Sequence, residues 1–273
     1  MRRNFKELIQ QNRWLKGLPT TLTIGNSLCG FGAILYTLNV YSVSKDFAPR
    51  ILTLSACIIL VAMIFDALDG FAARLFNAAS MHGMQMDSLA DMVTFGVAPA
   101  VVVAVMAHRL RDLQGNSYYF VWIMCAVYLG CAALRLATYN VHAMLEKKSS
   151  DKFHGLPSPG AAAAVCSLVI FFSYFGAEHI VIVKILPIYS GVLGLLMVSN
   201  IRYQHMGRWF FSVRRNHRRM LSLIIFLILL YMHPILILTF AVNAYVLSGP
   251  VSAIFRICRK AEELQPELTP SHR

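Results

Sequence analysis

Long apolar runs recur along this chain and limit its fold before any other feature does. A helix needs about 20 apolar residues to cross the roughly 30 Å hydrocarbon core of a bilayer. About eight such runs are legible, at 21–41, 50–74, 84–107, 118–143, 158–176, 179–199, 217–232 and 234–255. Backbone polar groups in lipid must be satisfied internally, so runs of this kind predict helices. Composition agrees, because 57% of the 273 residues are hydrophobic and 14% are charged, which is too apolar for an ordinary soluble domain. The expected fold is all-α, a polytopic transmembrane helix bundle of about eight spans. The apolar stretch from Leu221 to Phe255 is divided at His233-Pro234, because proline cannot continue a helix ladder; a single kinked helix there stays open.

Cytoplasmic flanks carry the excess of Lys and Arg. With both termini inside, Arg2, Arg3, Lys6, Arg13, Lys16, Lys147, Lys148, Lys152, Arg208, Arg214, Arg215, Arg218, Arg219, Arg256, Arg259 and Lys260 fall on the cytoplasmic side. Lys45, Arg50, Arg109, Arg111 and Lys184 fall outside. The expected location is therefore the cell (inner) membrane, multi-pass. The net charge of +12 is accounted for by topology and by attraction to anionic head groups, without nucleic acid. Residues 1–18 form a cytoplasmic N-terminal segment with no apolar core behind Arg2 and Arg3, so no cleavable leader is expected there. Phe5, Leu8, Ile9 and Leu15 recur at helical spacing, as in a short interfacial helix. Residues 19–256 make one transmembrane domain, and 257–273 a cytoplasmic tail. The six cysteines show no metal or redox spacing and read as packing residues.

Four of the 13 acidic residues lie within one short stretch at the ends of two expected spans: Asp66, Asp69, Asp87 and Asp91. An ionised side chain in hydrocarbon costs several kcal/mol, so such residues have a function or a partner. Spacings of three and four put each pair on one helix face, a turn apart. Two such faces turned together make a cage of oxygens. Crowded carboxylates without a cation would have to take up protons, and hard oxygen ligands without Cys or His favour magnesium or manganese. Gly70, Ala72, Ala73 and Gly83 keep the surface low for a bulky ligand. The helix opening near Gly83 is expected to offer free amides to a pyrophosphate. The plainer alternative is a buried ion network of these acids with Arg74, Arg135 and Arg202.

Read in full, Asp66-Ala-Leu-Asp69-Gly70-Phe-Ala-Ala73-Arg74, then Gly83, Asp87 and Asp91, resembles the signature of the CDP-alcohol phosphatidyltransferases. Every fixed position is filled. The likeness extends to the membrane-embedded phosphatidylserine synthases of that family through Leu18-Pro19 to Asn26, Asp87 to Pro99, Ala133 to Asn140, Gly155 to Pro159, and Ser199 to Tyr203. Thr20, Thr138 and Gln204 depart from the residues usual in that branch.

The resemblance implies transfer of a phosphatidyl group from CDP-diacylglycerol to the hydroxyl of L-serine, with release of CMP, at a two-metal site of Mg2+ or Mn2+. It implies that Asp66, Asp69 and Asp87 coordinate metal, with Asp91 completing the site and acting as base. It also implies a homodimer. CDP-lipid contacts are expected from Gly70, Ala73, Arg74, Gly83, Thr23 and Asn26, the guanidinium of Arg74 matching phosphate geometry. Arg135 and Arg202, at cytoplasmic helix ends, are candidates to hold the acceptor; snorkelling to lipid phosphates is the plainer reading of both. His154 and the Gly155–Pro159 turn either cover the site or simply turn the chain. His82, His108 and His233 read as interfacial. The same chemistry with glycerol 3-phosphate or an inositol phosphate is one alternative. A cation transporter with these carboxylates in its pathway is another.

Overall fold

The computed structural model describes residues 13–76, 80–111, 116–145, 155–176, 181–201, 203 and 217–264, apart from a few side chains near the ends of these segments. All regular structure among them is helical. Helix α1 is Arg13–Leu38, followed by a short 3-10 turn, Asn39–Ser42, and α2 is Ala48–Leu75. Helix α3, Met81–Asp91, runs through a π turn, Met92–Val97, into α4, Ala98–Arg111. Then come α5 (Asn116–Leu145), α6 (Ser158–Phe175), a second π turn (Val181–Ile185) leading into α7 (Leu186–Val198), α8 (His217–Met232) and α9 (Pro234–Leu264).

Six of these stretches are long and apolar enough to cross a membrane, against the eight expected: Gly17–Ser42, Ala48–Leu75, Met81–Leu110, Asn116–His142, Ser158–Phe175 and Pro234–Arg256. Within the runs at 179–199 and 217–232 the described residues form helix as well, Val181–Ile185 leading into α7 and His217–Met232 making α8, but neither is among these six. Arg13 and Leu264, on the far side of the two expected domain edges, are both helical. The proposed interfacial helix at Phe5, Leu8 and Ile9 lies outside the described residues. The break at His233 is where expected. The chain bends at that residue, and proline's missing N–H removes one rung of the ladder.

The third span is the axle of the bundle. In Met81–Leu110, 67% of the most apolar window is buried, against 28% for each of the first, second and fourth spans. It packs against α1, α2, α5, α6 and α7. Phe95, Met106, Val102 and Val103 from it are fully enclosed with Leu52 and Ile59 of α2, Tyr128 of α5 and Leu193 of α7. On α1, by contrast, Ile24, Leu28, Phe31, Leu35 and Leu38 are exposed at alternating steps of four and three. That is an apolar stripe turned outward, as a helix facing lipid presents.

Two buried tyrosines repair backbone that proline has broken. Phe95 would normally give its carbonyl to the N–H four residues on, but that residue is Pro99; the hydroxyl of Tyr128 donates to the Phe95 carbonyl instead, at 2.8 Å. In α9 the carbonyl four residues before Pro250 belongs to Val246, and it accepts from the hydroxyl of Tyr203 at 3.1 Å. Orphan carbonyls in an apolar interior are expensive, so each tyrosine ties its own segment to a proline-containing span. In the π turn before Pro99, Ala98 N–H reaches back five residues to the Val93 carbonyl.

Helix α9 docks on α6 through polar groups. Thr239 Oγ1 donates to the Ser167 carbonyl at 3.1 Å and Asn243 Nδ2 to Ser167 Oγ at 3.4 Å. Tyr189 of α7 donates a short hydrogen bond to Asn243 Oδ1.

Candidate active site

Helix α2 is unbroken through Asp66 and Asp69, and α3 through Asp87 and Asp91, so the sequence spacing becomes geometry directly. One carboxylate oxygen each from Asp66, Asp69 and Asp87 lie within 4.8 Å of one another. Oδ1 of Asp87 is buried and has no hydrogen-bond partner. A buried carboxylate oxygen left unmatched beside two other carboxylates is an arrangement that suits a hard divalent cation. The residues present fit the metal that the acidic motif implies.

Asp91 stands apart from that trio. It is buried, its charged neighbours are Asp66, Asp87 and Asp69, and its Oδ1 accepts from Asn26 Nδ2 at 3.2 Å. The π turn begins at the next residue, Met92. Turns of this kind interrupt helix register and gather at functional positions.

Helix α1 serves the carboxylates from the other side. Thr23 Oγ1 lies 2.9 Å from Asp69 Oδ2 and 3.0 Å from the Pro19 carbonyl, so its single proton serves one of them at a time. Asn26 is fully buried, and its carbonyl accepts from Thr94 Oγ1 at 3.0 Å. Close approach of α1 depends on Gly30, where a Cβ would sit 2.8 Å from the Cα of Thr94. Thr23 and Asn26 therefore engage the acidic cluster, a role that the sequence did not assign to them.

The remaining expected lipid-nucleotide contacts line the same end of α2 and α3. Nothing stands within 4 Å of where a Cβ on Gly70 would be, which leaves the space the sequence predicted. Ala73 is half-buried, and exposed Arg74 turns its Nε back onto the Gly70 carbonyl at 3.0 Å. The helix opens two residues before Gly83, and the amide of Gly83 itself is taken. Ser80 is the N-cap, the helix starts at Met81, and Gly83 N–H donates to Ser80 Oγ at 3.0 Å. A serine before the apolar run is the usual N-cap signal, and it places Gly83 third in the helix.

Of the two acceptor candidates, Arg202 lies outside the described residues. Arg135 on α5 has Asp91, Tyr139 and Tyr245 as its electrostatic neighbours and donates from Nη1 to Ser158 Oγ at 2.7 Å. Its Nε is buried without a partner. Ser88, between the two aspartates of α3, donates to Asn140 Oδ1 of α5 at 2.9 Å. The stretch from Gly155 turns the chain against α7. Gly155 has φ +84° and its N–H donates to the Ile201 carbonyl at 2.8 Å, and Leu156 N–H donates to the Leu196 carbonyl at 3.0 Å; His154 lies outside the described residues.

Ser88, Thr94, Asn140 and Ser158 were not singled out from the sequence as site residues. All four fall inside stretches that carry the family likeness, but their roles are contacts across 23 to 68 positions, and no local pattern encodes those.

Comparison with known proteins closes the case. Residues 16–201 match the model of the CDP-alcohol phosphatidyltransferase family. A CDP-diacylglycerol–serine O-phosphatidyltransferase of Bacillus subtilis is 34% identical over 205 residues, covering 70% of this chain and 98% of the relative. One of the same name from Helicobacter pylori is 33% identical, covering 73% and 80%. The archaetidylserine synthase of Methanothermobacter thermautotrophicus is 32% identical, covering 68% and 69%. With the match spanning the acidic helices and most of the bundle, the chain belongs to the CDP-alcohol phosphatidyltransferase family of membrane transferases.

Proposed function

We propose that the protein is a phosphatidylserine synthase, transferring the phosphatidyl group of CDP-diacylglycerol to the hydroxyl of L-serine and releasing CMP. The observation that carries this reading is the division of labour among the four aspartates. Three crowd their oxygens within 4.8 Å, while Asp91 is held beside them by Asn26. The names of the relatives supply the acceptor.

Asp66, Asp69 and Asp87 would hold Mg2+ or Mn2+, and Asp91, outside that trio, would act as the base. A bound divalent ion supplies charge neutralisation at the pyrophosphate. The serine hydroxyl attacks the phosphorus that bears the diacylglycerol, and the bond from that phosphorus to the bridging oxygen breaks, so that oxygen leaves with CMP. Asp91 takes the hydroxyl proton, and Asn26 keeps its carboxylate aimed. Gly70, Ala73 and Gly83 shape the nucleotide pocket with Arg74 at its rim, while Thr23 and Asn26 act through the carboxylates they touch. Arg135, with Arg202, receives the serine carboxylate.

The short apolar helices Val181–Val198 and His217–Met232 make seventh and eighth crossings on this reading, which puts both termini and the catalytic pocket on the cytoplasmic side. The distribution of Lys and Arg supports that orientation. The homodimer rests on family likeness alone, and the mass of the purified protein in detergent tests it.

Purified protein given CDP-diacylglycerol with serine, glycerol 3-phosphate or inositol phosphate in turn should release CMP with serine. Release with a phosphorylated alcohol and none with serine would refute the acceptor.

A further inference from the structure

Arg135 is a cation within the fourth membrane span whose charge is only partly answered. Among the described residues it donates to neutral Ser158 at 2.7 Å, its buried Nε–H has no acceptor, and its carboxylate neighbour is Asp91. A guanidinium has five donors in a rigid fork that matches a carboxylate. Tying Nη1 to Ser158 leaves the Nε–H side of that fork for another anion. Such unmet donors in a low-dielectric interior favour a ligand that brings its own negative charge.

Ser158 is held as firmly as the arginine it steadies. It is 1% exposed at the start of α6, between Pro157 and Pro159. The turn before it is fixed to the end of α7 by Gly155 N–H on the Ile201 carbonyl and Leu156 N–H on the Leu196 carbonyl. Gly155 has a positive φ of +84°, and a side chain there would strike the carbonyl of Met197. Tyr245 of α9 is a further electrostatic neighbour of the arginine, and its ring lies 5.7 Å from that of Tyr203, which is itself bonded to Val246. Three elements thus converge on one arginine beside the proposed base.

We infer that Ser158 is a positioning residue for the acceptor: it fixes Arg135 so that the fork takes the α-carboxylate of an amino-acid alcohol and delivers its hydroxyl to Asp91. The inference rests on the proposed serine acceptor and adds the source of selectivity. A carboxylate and a hydroxyl on neighbouring carbons, as serine has them, bridge an arginine and an adjacent carboxylate base. Esterifying the acceptor removes the charge that the fork recognises.

The test compares wild-type protein with Ser158→Ala and Ser158→Thr, measuring CMP release with serine and with serine methyl ester. In Ser158→Ala the KM for serine rises about 10-fold or more, while the KM for CDP-diacylglycerol changes by less than about twofold. The preference of wild-type protein for serine over its ester shrinks by the same factor, and Ser158→Thr restores both. Should the alanine variant fail to fold, Ser158→Cys, of nearly equal volume and a weak acceptor, is expected to show the same loss. Wild-type release with serine but an unchanged serine KM and ester preference in these variants overturns this inference alone. No release with serine from wild-type protein overturns the acceptor assignment and this inference with it.

Discussion

Asn26 and Asp91 meet across 65 positions of sequence, the amide of one donating to the carboxylate of the other at 3.2 Å. The bond is doubly anchored, because the backbone carbonyl of the same asparagine accepts from Thr94, three residues beyond Asp91. Asn26 Oδ1 is buried without a hydrogen-bond partner among the described residues, so the bond to the Asp91 carboxylate is what orients the amide.

Asn26→Ala should therefore reduce turnover by about 10- to 100-fold, the usual effect of removing a group that orients an active-site ligand or base. Asn26→Asp should be worse, since it sets a further negative charge against Asp91. Steady-state CMP release checks both. Turnover within about twofold of wild type in the alanine variant would remove Asn26 from the mechanism.

Gly30 allows α1 to lie against the π turn. Gly30→Ala places a Cβ 2.8 Å from the backbone of Thr94, where no side-chain rotation relieves it. Overpacking of this kind costs about 1–3 kcal/mol. The expected result is a lower unfolding midpoint in detergent together with reduced activity, because the displaced helix carries Asn26 and Thr23.

The tyrosine–proline pairing predicts a coupling. Tyr128→Phe strands the Phe95 carbonyl and should destabilise the protein by about 1–3 kcal/mol. Pro99→Ala gives α4 back the N–H that can satisfy that carbonyl. In the Pro99→Ala background, Tyr128→Phe should be nearly silent, so a double-mutant cycle in thermal or denaturant unfolding should show coupling of about 0.5–3 kcal/mol. Additive effects would contradict the pairing.

Divalent metal should stabilise the folded protein as well as activate it. Chelation is expected to stop CMP release and lower the unfolding midpoint, and Mg2+ or Mn2+ to reverse both. Asp66→Asn or Asp87→Asn should abolish the metal-dependent rise in midpoint even where no substrate is present.

Much of this arrangement was legible in the chain, and the part that was not shares a cause. Apolar length placed the helices, His233-Pro234 marked the break, and spacings of three and four put Asp66 with Asp69 on one helix and Asp87 with Asp91 on the next. Properties of one segment read well. Whether α7 and α8 count as crossings depends on helix ends, which apolar length sets only loosely; six long apolar spans are found among the described residues. The hold on Asp91 depends on packing between α1 and α3, through Asn26. The Phe95 carbonyl in the π turn that follows is met by Tyr128, 33 positions away. Thr23 and Asn26 carried a family signal and were expected at the nucleotide, yet their contacts are with carboxylates. Ser80, an N-cap residue type, takes the amide of Gly83 three residues on, and the helix starts from the serine and not from the glycine.

In the proposed mechanism three aspartates gather a cation and a fourth handles the proton, and Asp91→Asn separates those roles most directly. Metal titration followed by the unfolding midpoint should show binding retained, while CMP release from CDP-diacylglycerol and serine falls by about 100-fold or more. Transfer that survives the substitution, or metal binding lost together with it, would contradict the division.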